Sequence, residues 1–142
     1  MIVDTSAVIA ILELEPEAAD FAGLIAKADT PWISAVAVVE AGILAESRRG
    51  PAGADELDRF LVRAKFQIIP FDHVQARIAR QAFRRYGKGR HPASLNFGDC
   101  IAYSLSKASG KPLLFKGNDF GKTDVITCLP TSPLPVQDEP IA

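Results

Sequence analysis

Met1-Ile2-Val3-Asp4-Thr5-Ser6 opens the chain, and the reading of this stretch decides the fold. Its apolar, β-branched start predicts a short buried strand over Met1–Asp4. That strand ends on a carboxylate after only three residues, where a lone charge is costly unless something compensates it. Three more acids stand beside apolar sequence or at the edge of an element. They are Glu40 in Val38-Val39-Glu40-Ala41, Asp99 in Asn96-Phe97-Gly98-Asp99-Cys100, and Asp119 in Asn118-Asp119-Phe120. If the fold gathers them, their mutual repulsion raises their pKa values unless a cation sits among them. Asp4 therefore points to a metal-dependent enzyme.

Outward from this strand, helices and strands alternate. Thr5–Leu14 is compatible with a helix, and Pro16 fits the first turn of a second helix running to about Ala28, with Ala18, Phe21, Leu24, Ile25 and Ala28 as its apolar stripe. Trp32-Ile33 reads as the second strand, and Ser34 caps a helix from Ala35 to about Arg48 that Gly50-Pro51 stops. Residues 54–65 form another amphipathic helix, with Leu57, Phe60, Leu61 and Ala64 inward. Phe66–Phe71 predicts a third buried strand, and Asp72 caps a helix to about Tyr86. Gly87–Phe97 reads as a flexible loop, and a helix near Asp99–Ser109 closes on Gly110. Pro112–Phe115 is the fourth strand and Asp124–Leu129 a short fifth. From Pro130 the chain holds four of its ten prolines and no periodicity, so the expected division is a domain over 1–129 and a Pro-rich tail over 130–142.

This order implies a single α/β domain with a central parallel sheet of four to five strands flanked by helices. Ligands of such sheets bind outside the carboxyl ends of the strands, where Asp4, Asp99, Glu40 and Asp119 are all expected. The 142 residues suffice for one domain, and 48% hydrophobic with 23% charged residues is the balance of an ordinary globular protein. No apolar run approaches the roughly 18–20 residues of a membrane span, and the N-terminus lacks a signal peptide's basic start, so a cytoplasmic location is expected. Cys100 and Cys128 form no CxxC pair, and His73 and His91 are far apart in sequence, which argues against a zinc site.

The net charge of −1 hides a division of the chain. Residues 1–58 hold three basic and eleven acidic side chains, whereas residues 59–122 hold thirteen basic and three acidic ones. On the helix after Asp72, Arg77, Arg80 and Arg84 share one face at i, i+3, i+7, opposite Ile78, Ala79, Ala82, Phe83 and Tyr86. Lys88 and Arg90 continue this basic surface toward Asp99. Solvated surface charge is the bland explanation. Continuation toward the acids favours a nucleic acid partner, with phosphate contacts from Arg77, Arg80, Arg84, Lys88 and Arg90. No aromatic platform for base stacking is evident.

Each acid has a structural competitor: a helix cap for Asp4, a favourable helix start for Asp99, an arginine pair for Glu40 and a turn for Asp119. Taken together they make a set of oxygen donors without histidine, which selects Mg²⁺, or Mn²⁺, over zinc or copper. Mg²⁺ is commonly completed by substrate phosphate, so the chemistry indicated is phosphodiester hydrolysis. A phosphomonoesterase with Asp4 as nucleophile is disfavoured because Ser6 stands where a second Asp is needed. A non-catalytic module whose acidic patch receives a basic tail is the other alternative.

These four blocks, with Leu113-Leu114-Phe115-Lys116-Gly117-Asn118-Asp119-Phe120 as the last, resemble the PIN-domain ribonucleases, and specifically the VapC toxins of type II toxin–antitoxin pairs. The resemblance spans about residues 1–129. It implies that Asp4 and Asp99 ligate the metal, that Glu40 completes the acidic cluster, and that Asp119 is its last member. It further implies cleavage of RNA, often tRNA or rRNA, into 5′-phosphate and 3′-hydroxyl ends, a homodimer, and inhibition by a cognate antitoxin. A housekeeping RNA-processing nuclease has the same motifs. Phe115 and Gly117 depart from the family pattern, so Asp119 and Asp124 both remain candidates for the fourth acid.

Overall fold

The computed structural model describes residues 1–128. Four parallel strands, β1 (Ile2–Val3), β2 (Trp32–Ser34), β3 (Gln67–Ile69) and β4 (Leu113–Leu114), form one sheet in the order β3-β2-β1-β4. Five helices connect them: α1 (Thr5–Leu12), α2 (Ala18–Lys27), α3 (Ala35–Arg63), α4 (His73–Tyr86) and α5 (Phe97–Ser109). A 3-10 turn over Phe120–Lys122 follows β4. Among the described residues no helix is long and apolar enough to cross a membrane.

The pleat sorts the strand residues into two cores. Val3, Ile33 and Leu114 face α1, α2 and α3, packing with Val8, Phe21, Ile25, Ala41, Leu57 and Leu61. Ile2 and Leu113 face the other way, against Ala79, Ala82 and Tyr86 of α4 and Cys100, Tyr103 and Leu105 of α5. The register agrees, pairing Ile2 with Leu113 and Val3 with Leu114. Apolar residues on both sides of each pleat are what a sheet covered on both faces demands.

Several sequence expectations need correction. The third strand is shorter than Phe66–Phe71 and not buried: as the outermost strand it leaves Ile68 48% exposed. The helices expected at 35–48 and 54–65 both form, with the break at Gly50 (φ 66°, ψ −159°) as expected, but no loop separates them, so the second starts earlier than residue 54 and the pair is labelled together as α3. That conformation ends the first half while Pro51, which needs no amide donor, starts the second. Pro16 lies in the turn before α2 rather than inside it, and α1 ends at Leu12 because Leu14 adopts φ 53°. Helix α5 begins earlier than Asp99, with Asn96 as its cap. The fifth strand reduces to one parallel bridge, Leu113 to Thr127, held by Leu113 N–H donating to Ile126 O (2.8 Å) and Cys128 N–H donating to Leu113 O (2.9 Å). Within the expected loop at 87–97, Ala93 and Leu95 are fully buried and Gly87 bridges Leu95, which makes the segment part of the core. Phe83, expected inside, is 41% exposed. The Pro-rich tail from Pro130 lies outside the described residues.

Candidate active site

The order β3-β2-β1-β4 places the reversal of strand order between β1 and β4, and the crevice of a parallel sheet opens at the carboxyl ends of the strands flanking such a reversal. Asp4 follows β1 directly. Its Oδ2 accepts hydrogen bonds from Ser6 N–H (3.1 Å) and Ser6 Oγ (2.6 Å), which caps α1. Ser6 Oγ in turn accepts from Lys116 N–H (3.0 Å), tying α1 to the segment that leaves β4. Asp4 is only 4% exposed, and Oδ1 accepts nothing from the described residues. Burial pushes its pKa up to about 7 against the opposing bonds from Ser6, and the charges of Asp99 and Glu40 push in the same direction.

Asp99 sits at the third position of α5 in a reciprocal cap. Asn96 Oδ1 accepts from Asp99 N–H (2.9 Å), while Asp99 Oδ2 accepts from Asn96 N–H (3.0 Å). Burial raises the Asp99 pKa against that bond, and Asp119 and Glu40 raise it further. Asp4 and Asp99 thus share a design: one carboxylate oxygen is spent on fixing orientation and the other is free.

Glu40 reaches this place from α3, six residues beyond the Ser34 cap. Its carboxylate lies against Gly98, so a methyl group built on Gly98 would overlap Glu40 Oε2 and stand 2.8 Å from Cδ. Only glycine lets the acid come this close to the start of α5. Asp119 is exposed, caps nothing with its side chain, and acts electrostatically on Asp99.

Asp124 is held elsewhere. Its carboxylate accepts from Tyr103 Oη (2.6 Å) and Lys107 Nζ (3.1 Å), with Arg85 at 3.8 Å, and the Tyr103 hydroxyl keeps its pKa below the usual carboxylate range. Tyr103 and Lys107 lie one and two turns along α5 from Asp99, at 5.4 Å per turn. The structure therefore brings Asp4, Glu40, Asp99 and Asp119 into one electrostatic neighbourhood and assigns Asp124 to a different one.

Among the described residues none of these four acids has a basic partner in an ion pair. No group of three His, Cys, Asp or Glu side chains is close enough to hold an ion directly among the described residues. The donor chemistry nevertheless fits a hard divalent cation: oxygen ligands only, two with a free edge, and an uncompensated buried carboxylate. Mg²⁺ keeps several waters and takes only one or two direct carboxylate ligands, so it does not require three converging acids.

Of the sequence-predicted basic residues, Arg77, Arg80, Arg84, Lys88 and Arg90 are all exposed. Arg80, Arg84 and Arg90 line a groove of about 570 Å³ between α4 and α5, while Arg77 and Lys88 lie outside it. Sequence reasoning gave Ser6 and Gly98 no part in the site. The Asp4-x-Ser6 spacing of a side-chain cap was the available signal for Ser6. For Gly98, whose neighbour Glu40 comes from another element, no local signal exists.

The PIN-domain family model matches residues 1–126. Ribonuclease VapC of Mycolicibacterium smegmatis is 50% identical over 125 residues, covering 88% of this chain and 97% of that protein. The crystal structure of VapC20, the sarcin–ricin-loop-cleaving toxin of Mycobacterium tuberculosis, matches with a TM-score of 0.73 at 15% identity, over 91% of this chain and 98% of that one. A toxin–antitoxin complex from Klebsiella pneumoniae matches with a TM-score of 0.66 at 18% identity, over 89% of this chain and 95% of that one. Identities this low speak to the fold alone. Identity of one residue in two along nearly the whole length carries the activity as well, and it places this chain among the PIN-domain endoribonucleases of the VapC family.

Proposed function

We propose that the protein is the ribonuclease toxin of a toxin–antitoxin pair, hydrolysing RNA phosphodiesters with Mg²⁺, or Mn²⁺ in its place. The observation that carries this reading is Asp4: a buried carboxylate, raised to about pKa 7, beside three further acids and without a basic partner among the described residues. Such an arrangement stores a demand for positive charge. Asp4 and Asp99 would hold the cation, directly or through water, on the carboxylate edges that Ser6 and Asn96 leave free. Glu40 and Asp119 complete the acidic ring. The cation, when bound, activates water and neutralises charge developing on the phosphate. Arg77, Arg80, Arg84, Lys88 and Arg90 take the flanking phosphates, orienting the strand over the acids.

The family likeness favours tRNA or rRNA as substrate and a homodimer as the working form. A ring of unpaired acids also suits inhibition by a basic segment of an antitoxin, and the Klebsiella pneumoniae complex among the structural matches supports such a partner.

Asp4→Asn and Asp99→Asn, each made in the full chain, are expected to reduce Mg²⁺-dependent cleavage of RNA to background while circular dichroism retains the folded spectrum. Undiminished cleavage by both variants would overturn the proposal.

A further inference from the structure

The groove between α4 and α5 is lined by Phe71, Phe83 and Phe97 together with Arg80, Arg84 and Arg90, and none of its lining residues is acidic. Phe97 is 73% exposed. Holding a ring this large in water forgoes the gain of burying it, and the first turn of a polar-capped helix gives no local reason for it. Phe97 also belongs to the wall of a second hollow, of about 230 Å³, that contains Glu40 and Gly98. It therefore stands on the ridge between the acids and the arginines, two residues before Asp99. Arg90 lies 5.6 Å from the centroid of Phe83, so one planar cation already stacks on an aromatic face of the groove.

We propose that this groove binds an unpaired nucleotide adjoining the scissile phosphate, its base stacked on Phe97 and its backbone phosphates met by Arg80 and Arg84. The inference rests on the ribonuclease reading above and adds to it the place where a base is gripped. Its warrant is charge complementarity and continuity. Arginines and aromatic faces in one acid-free groove match a nucleotide's phosphates and π surface, and the groove runs into the acids through Phe97-Gly98-Asp99.

The probe is a short single-stranded RNA of mixed sequence carrying 2-aminopurine, titrated with the full chain in EDTA so that metal-dependent cleavage is suppressed. Phe97→Ala is expected to weaken binding roughly ten-fold, within the range of one lost base–aromatic stack, and to abolish quenching of 2-aminopurine. Phe97→Trp is expected to keep both. Because Phe97 is exposed, neither substitution removes core packing. Wild-type affinity and quenching in Phe97→Ala would overturn the proposal. So would conversion of a dimer to a monomer with unchanged RNA affinity per protomer, which would assign the face to a second copy. If the Asp4 and Asp99 variants still cleave RNA, the catalytic reading fails separately, because the stacking measurement contains no metal.

Discussion

Asp4 carries a free-energy cost whose size depends on pH, and the direction follows from where its proton sits. In the folded chain without metal its pKa is about 7, against 3.8 for a free aspartate. Between these values the folded state retains a proton that the unfolded state has released, so stability is full below about pH 4 and falls as pH rises to about 7. The raised pKa of Asp99 acts in the same direction. Thermal melts in EDTA are expected to shift downward across this window, and Asp4→Asn, which cannot ionise, is expected to flatten the dependence. Added Mg²⁺ should recover the lost stability at neutral pH, because a cation binds the ionised carboxylates of the folded state. A wild-type melting temperature that is flat or rises across this window in EDTA would contradict the placement of the charge.

Helix α3 shows what an element does with an unfavourable insertion. Gly50 and Pro51 separate the two helices of α3, which meet across one residue at φ 66°, ψ −159°. At the break Arg49 donates to Leu12 O (3.1 Å) and pairs with Glu56 (2.7 Å), while Arg48 pairs with Glu13 (2.6 Å), so the bend is anchored to the end of α1. Gly50→Ala has open space for its methyl group but not the backbone freedom. It is expected to cost about 1–3 kcal/mol, measured as a lower urea midpoint with an unchanged slope. The break itself was legible in Gly50-Pro51. The alternation of strands and helices, the caps Asp4, Ser34 and Asp72, and the stop at Gly110 are written in neighbouring residues, and all were legible. Whether Phe66–Phe71 lies at an edge, whether Gly87–Phe97 is packed, and whether Asp119 or Asp124 faces Asp99 depend on distant partners. Asp119 and Asp124 follow β4 by five and ten residues, and the hydroxyl of Tyr103 and the amine of Lys107, supplied by α5, distinguish their settings.

At the scale of the whole molecule the two charges divide along the same line as the two cores. The acidic N-terminal residues contribute α1 to α3, on one face of the sheet, and the basic residues from 59 onward contribute α4 and α5 on the other. The crevice gathers acids from both portions, with the arginine surface running up to it. Such a surface predicts RNA affinity that falls steeply with salt. Arg77→Gln, Arg80→Gln and Arg84→Gln are each expected to reduce the slope of log K against log [salt] by about one, without altering which sequence is cleaved. An unchanged slope in all three would remove them from the phosphate path.

The position of β1 in the sheet has a consequence for the order in which the protein is made. The first strand synthesised is an inner one, and its partner β4, with Asp119 just after it, comes near the end of the described chain. Until that segment leaves the ribosome, one side of β1 has no partner, Ser6 has no Lys116 amide to receive, and the acid ring lacks a member. The four acids therefore cannot stand together until Asp119 has been made and β4 has paired with β1, however early Asp4 emerges.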